Sequence, residues 1–79
     1  MKGIDNMEVL IKSRLKEFLR ERGISQRFLA RQLGFHPNTM SLIANGKSIP
    51  SYRTMLSISH ILGIPIEEIW SSRIREKQI

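Results

Sequence analysis

The stretch "SQRFLARQLGFHPNTMSLIANGK", residues 25–47, constrains this chain most. It holds no acidic residue, three basic ones and a glycine near its middle. Its apolar residues fall as Phe28-Leu29-Ala30, Leu33, Phe35, then Met40 and Leu42-Ile43, which is not one steady helical period. Ser25 is a favourable N-cap, and a helix from about Gln26 to Leu33 would stop at Gly34. Pro37 suits the first turn of another helix, because its fixed φ fits and its missing N–H is not needed there. That helix ends near Asn45-Gly46, a turn signal. The stretch therefore predicts two short helices with a sharp corner between them.

The whole chain bounds what surrounds this corner. Its 79 residues make a single domain, 1–79, with a core that is marginal unless well packed or oligomeric. There is no cysteine, so neither disulfides nor a Cys-based zinc site can hold it together. Apolar content of 41% and charged content of 25% suit a globular domain rather than a disordered one. No apolar run approaches a membrane span. Met1 to Asn6 lacks the apolar stretch of a signal peptide, so the expected location is the cytoplasm.

Charge is distributed unevenly. The formal charge is +6. From Arg22 to Ile66 the chain carries Arg22, Arg27, Arg31, Lys47 and Arg53 but no Asp or Glu. Such a surface attracts polyanions, nucleic acid or acidic lipid headgroups alike. It is equally what a solvated basic face looks like.

Punctuation divides the remainder into helices. Asp5-Asn6-Met7-Glu8 resembles a capping box. Ile11, Leu15, Phe18 and Leu19 then recur along one helical face, with Lys12, Lys16 and Arg20 largely off it, until Gly23. Ser51 caps a fourth helix, in which Tyr52, Met55, Ile58 and Leu62 repeat as far as Gly63. Pro65 opens a short fifth helix holding Ile66, Ile69 and Trp70. Residues 71–79 read as a polar, mostly basic tail. No strand alternation is evident. The expected fold class is all-α, a compact five-helix bundle.

Two short helices and a glycine corner suggest a helix-turn-helix at about 26–45. The crossing needs a small residue on the first helix, which is Ala30. The corner favours positive φ, which Gly34 adopts freely. Met40 and Ile43 anchor the second helix, Leu29 and Leu33 the first, and Asn38, Thr39 and Ser41 are left facing outward. Gln26, Ala30, Gly34 and Met40 hold the first, fifth, ninth and fifteenth places of the helix-turn-helix pattern. Together with "GISQ", "NGK", "PS" and "LGI" in order, the run from about Leu15 to Trp70 resembles the phage repressor/Cro-type, or XRE-type, DNA-binding domain. The resemblance implies a lambda repressor-like bundle that binds double-stranded operator DNA, usually as a homodimer.

The resemblance also implies roles. Gln26, with Arg27 beside it, would contact a phosphate and brace the third helix. Asn38, Ser41 and Leu42 match positions facing base edges, with Thr39 close by. Asn45 matches a place near the DNA backbone, Lys47 and Ser48 would lie along phosphates, and Arg53 would reach them from the fourth helix. These residue types suit those tasks. Some residues depart from the family pattern. His36 stands where a Ser, Thr or Asp cap is usual, and serves as a substitute cap or phosphate neighbour. Pro37 can offer only van der Waals contact. Leu42 replaces a frequent Arg or Lys, and Ala44 a frequent Glu. The recognition helix, about 37–45, thus carries no charge, which argues against guanine readout by arginine. Asn38 remains for a base edge, and Leu42 or Pro37 for thymine methyls.

Other residues admit more than one reading. Tyr52 either packs at the start of the fourth helix or bonds a phosphate. Ile66, Ile69 and Trp70 close the core or, with Ile61 and Ile74, extend into a dimer interface. His36 and His60 lie on different helices and make no metal site. No Gly-rich loop, nucleophile elbow or metal-spaced cluster points to catalysis, and no motif calls for a cofactor. The functions left in competition are a sequence-specific DNA-binding regulator, an antitoxin-like or adaptor module that binds a protein partner, and a nonspecific basic binder of nucleic acid or membrane.

Overall fold

The computed structural model describes residues 7–76. Along them run β1 (Met7–Ser13), α1 (Leu15–Arg22), α2 (Gln26–Leu33), α3 (Pro37–Ala44), α4 (Tyr52–Leu62), α5 (Ile66–Ile69) and β2 (Trp70–Glu76). From α2 to α4 the helix limits follow the punctuation of the sequence. The Ser25 hydroxyl accepts the Phe28 N–H at 3.0 Å, and that of Ser51 accepts the Thr54 N–H at 3.3 Å. Each satisfies a donor that the first helical turn leaves unpaired. α1, α2 and α4 each end on a glycine in the left-handed region.

The core draws on every helix. Leu15 from α1, Leu29 from α2, Met40 from α3, Ile58 from α4 and Ile69 from α5 are all fully buried. Burial of each such side chain contributes roughly 1.5–3 kcal/mol. Leu19, Ala30, Ile43, Ala44, Leu62, Ile64 and Trp70 complete the cluster. On the surface of α1, Arg14 donates to Glu17 at 2.9 Å and lies over the Phe18 ring, 4.7 Å from its centroid. That hydrogen bond and the Arg14 charge hold the Glu17 carboxyl below its ordinary range.

The expected all-α class is not what forms. β1 and β2 pair antiparallel, in a register that sets Met7 opposite Glu76, Val9 opposite Ile74 and Ser13 opposite Trp70. The helix expected to include Ile11 begins only at Leu15, after Arg14 turns the chain at φ −111° and ψ 16°. The Ser13 hydroxyl accepts the Leu15 N–H at 3.3 Å. Of the capping box, Met7 and Glu8 lie in β1, while Asp5 and Asn6 fall outside the described residues. Residues 71–76 of the expected tail form most of β2. Trp70 leaves α5 at φ −122° and ψ 110° and opens that strand.

The physical reason is a non-local pairing. "MEVLIKS" carries apolar residues on both faces of the strand, and "WSSRIRE" is polar on its own. Neither alternates cleanly. Each becomes a strand because the other returns beside it after the intervening helices, with the Arg14 N–H donating to the Ile69 carbonyl at 2.8 Å at the junction. The ribbon projects from the bundle. Principal extents are 48 × 22 × 20 Å, and the Cα radius of gyration of 14.5 Å exceeds the roughly 11–12 Å of a compact chain this size.

Candidate nucleic-acid interface

α2 and α3 pack against each other, α3 also packs on α1, and α2 on α4. The corner is built as the sequence requires. Ala30 is 2% exposed. Gly34 has φ 71°, and its N–H donates to the Arg31 carbonyl at 3.3 Å. A Cβ there would meet no atom within 4 Å, so the demand for glycine is conformational rather than steric.

α3 then starts on an unusual cap. His36 is extended, and its Nδ1 accepts the Asn38 N–H at 3.1 Å. The imidazole thus replaces the hydroxyl or carboxylate common at an N-cap, and Pro37 occupies the first turn, where no N–H is needed. Met40, Ile43 and Ala44 point into the core. Asn38, Leu42 and Asn45 follow at i, i+4 and i+7 along the opposite, exposed face. Thr39 is exposed beside them. Ser41 is half-buried rather than fully outward, and its hydroxyl accepts from Asn45 Nδ2 at 3.3 Å.

The end of α3 is held from three sides. Asn45 Nδ2 donates to the Ser41 carbonyl at 2.9 Å. The N–H groups of Lys47 and Ser48 donate to the Leu42 carbonyl at 2.9 and 3.2 Å, folding the turn back on the helix end. From α1, Lys16 Nζ donates to Asn45 Oδ1 at 3.2 Å. The sequence does not single out Lys16 as a site residue, yet it reaches the end of α3. Its only sequence signal is that it falls off the apolar face of α1, which any solvated lysine does.

The remaining expected residues are dispersed along adjoining elements. Gln26 is half-buried at the start of α2, with Arg27 exposed next to it. Lys47 is exposed and Ser48 half-buried in the turn, and Arg53 is exposed on α4. Tyr52 is 68% exposed, so the packing reading fails for it and its hydroxyl is free to meet a ligand. Of the five residues expected at a dimer interface, Ile69 and Trp70 are 0% and 6% exposed and belong to the core. Ile61 and Ile66 pack partly against that core, which leaves Ile74, 61% exposed on β2. Among the described residues, no group of three His, Cys, Asp or Glu side chains is placed to hold a metal ion, and no helix is long and apolar enough to cross a membrane.

Comparison with known proteins agrees with this geometry. The helix-turn-helix family pattern matches residues 15–69, from the first residue of α1 to the last of α5, and excludes both strands. Among solved structures, the chain is similar to "a putative DNA-binding protein from Bacteroides fragilis" at a TM-score of 0.74 and 27% identity, over 78% of this chain and 100% of that one. No curated protein matches. With the family pattern spanning most of the sequence and each structural demand of the corner met, the chain belongs to the XRE-type helix-turn-helix family of DNA-binding domains.

Proposed function

We propose that this protein is a sequence-specific transcriptional regulator that binds double-stranded DNA as a homodimer, with α3 in the major groove of each half of an inverted repeat. The observation that carries the reading is the outward face of α3. Asn38, Thr39 and Leu42 are exposed there, and no acidic residue occurs between Arg22 and Ile66. Asn38 serves as a donor and acceptor toward a base edge, adenine above all, and Leu42 and Pro37 meet thymine methyl groups. Gln26, Arg27, His36, Ser41, Asn45, Lys47, Ser48 and Arg53 act in positioning along the phosphates and at the groove edge. Short polar and apolar side chains at the groove, with cations on the flanks, suit an A·T-rich site.

The experiment is selection of bound sequences from a random DNA pool, followed by titration of the selected site at several salt concentrations. A palindromic consensus with adenine or thymine at the Asn38 and Leu42 positions supports the reading. Equal affinity for all sequences would leave only a nonspecific basic binder.

A second reading is an antitoxin-like or adaptor module that binds another protein. It is favoured by the uncharged α3, where Leu42 is 48% exposed. A stable protein partner on purification, with no DNA affinity at low salt, would select it.

A further inference from the structure

The β1–β2 ribbon lies outside the region that matches the helix-turn-helix family. A two-stranded ribbon is at best marginal alone in water, and this one keeps apolar groups in solvent. On one face Met7, Val9 and Ile11 of β1 and Ile74 of β2 are 45, 58, 40 and 61% exposed. On the other, Glu8 faces Arg75 at 3.2 Å, Leu10 faces Arg73 and Lys12 faces Ser71. Among the described residues, β1 is bonded to β2 along one edge and to no strand along the other.

We propose that the outer edge of β1 pairs antiparallel with the same edge of a second copy, Leu10 opposite Leu10, joining the two ribbons into one four-stranded sheet. A two-fold axis normal to a sheet keeps every side chain on its own face. Centred on Leu10, it sets Glu8 opposite the second copy's Lys12, and Lys12 opposite the second copy's Glu8. It also sets Val9 opposite Ile11 in both directions on the apolar face. Opposite charges and β-branched pairs directly across a sheet are stabilising, and like charges are destabilising. The outer edge of β2 offers no such pairing, because no symmetric register there opposes an arginine to Glu76. Centred on Arg73 it opposes arginine to itself, centred on Ile74 it opposes Arg73 to Arg75, and centred on Ser72 it gives Arg73 only Ser71. Self-complementary charge therefore selects β1, and a second copy as its occupant.

This interface deepens the dimer reading above and rests on it for its role on DNA. It supplies the surface that Ile69 and Trp70, buried in the core, do not offer.

The chain has no cysteine, so single substitutions give an unambiguous cross-link. Opposed Cβ atoms lie about 4.5–5.5 Å apart in such a sheet. Under mild oxidation without DNA, Leu10→Cys should give a covalent dimer. Glu8→Cys and Lys12→Cys chains should each stay uncrosslinked alone and cross-link when mixed. Lys12→Glu should weaken self-association roughly tenfold in sedimentation equilibrium. No Leu10→Cys cross-link, or cross-linking of Glu8→Cys by itself, would overturn the proposal. So would a monomeric mass for the parent protein, which would give the ribbon to a different partner. Because no DNA is present, these failures remove the interface and leave DNA binding standing. A positive cross-link from a protein that does not bind DNA supports the interface and removes only the regulatory reading.

Discussion

Ser13 and Trp70 stand opposite each other at the base of the ribbon, where the sheet meets the helical core. Trp70 is both the last side chain of that core and the first residue of β2. Its indole Nε1 is buried with no hydrogen-bond partner among the described residues. The ring's apolar bulk, not its N–H, is therefore what holds the junction. Trp70→Ala should lose roughly 3–5 kcal/mol in urea unfolding. Trp70→Phe should lose clearly less, because it keeps most of the bulk and removes a donor that finds no acceptor. Equal losses in the two variants would show that the N–H is in fact used.

The imidazole cap of α3 makes a second prediction. His36→Ala removes the acceptor for the Asn38 N–H and should lower stability by about 1 kcal/mol. His36→Ser or His36→Asp should restore it, since either side chain supplies an oxygen to the same donor. Chemical denaturation midpoints of the three variants decide this. If His36→Ala melts with the parent, the cap carries no weight.

The corner between α2 and α3 is tested by size and by backbone conformation separately. Ala30→Leu adds volume at a buried crossing and should cost about 1–3 kcal/mol. Gly34→Val forces a β-branched residue to positive φ and should cost about 1–3 kcal/mol, although nothing crowds the new side chain. Thermal melts of both variants identical to the parent would contradict the helix-turn-helix geometry.

How legible these features were differed from element to element. Ser25, Gly34, Pro37, Ser51 and Gly63 act within a few residues of themselves, so the helices they bound could be read directly from their order. Ala30 and Met40 followed from the same local pattern. The strands could not be read this way. β1 and β2 each lack a clean alternation, and they stabilise each other across nearly the whole chain. Val9 and Ile74 meet only because α1 to α5 bring the ends together. For the same reason the spacing of Ile11 from Leu15 matches a helical face although Ile11 lies in β1. The contact of Lys16 with Asn45 spans two separate helical segments, and nothing near Lys16 in sequence announces it.

That contact predicts how cations divide their work. Lys16 holds Asn45 at the end of α3, while Lys47 stands exposed in the turn that follows. Lys47→Ala should weaken binding to all DNA sequences alike and reduce the salt dependence by about one unit. Lys16→Ala removes the donor to Asn45 Oδ1 and should weaken binding while leaving the salt slope near that of the parent. Binding isotherms at several salt concentrations read both effects. A Lys47→Ala protein with the parent's salt slope would remove that residue from the phosphate path.

In the proposed complex α3 reads sequence through Asn38. The most direct measurement is parallel selection of DNA by the parent protein and by Asn38→Ala, with affinities for the parent's consensus. The account predicts a loss of about 1–3 kcal/mol on that site and relaxed preference at one base pair in each half-site. The remaining positions should stay as they were, and the protein should remain folded because Asn38 is exposed. An unchanged consensus bound at unchanged affinity would contradict it.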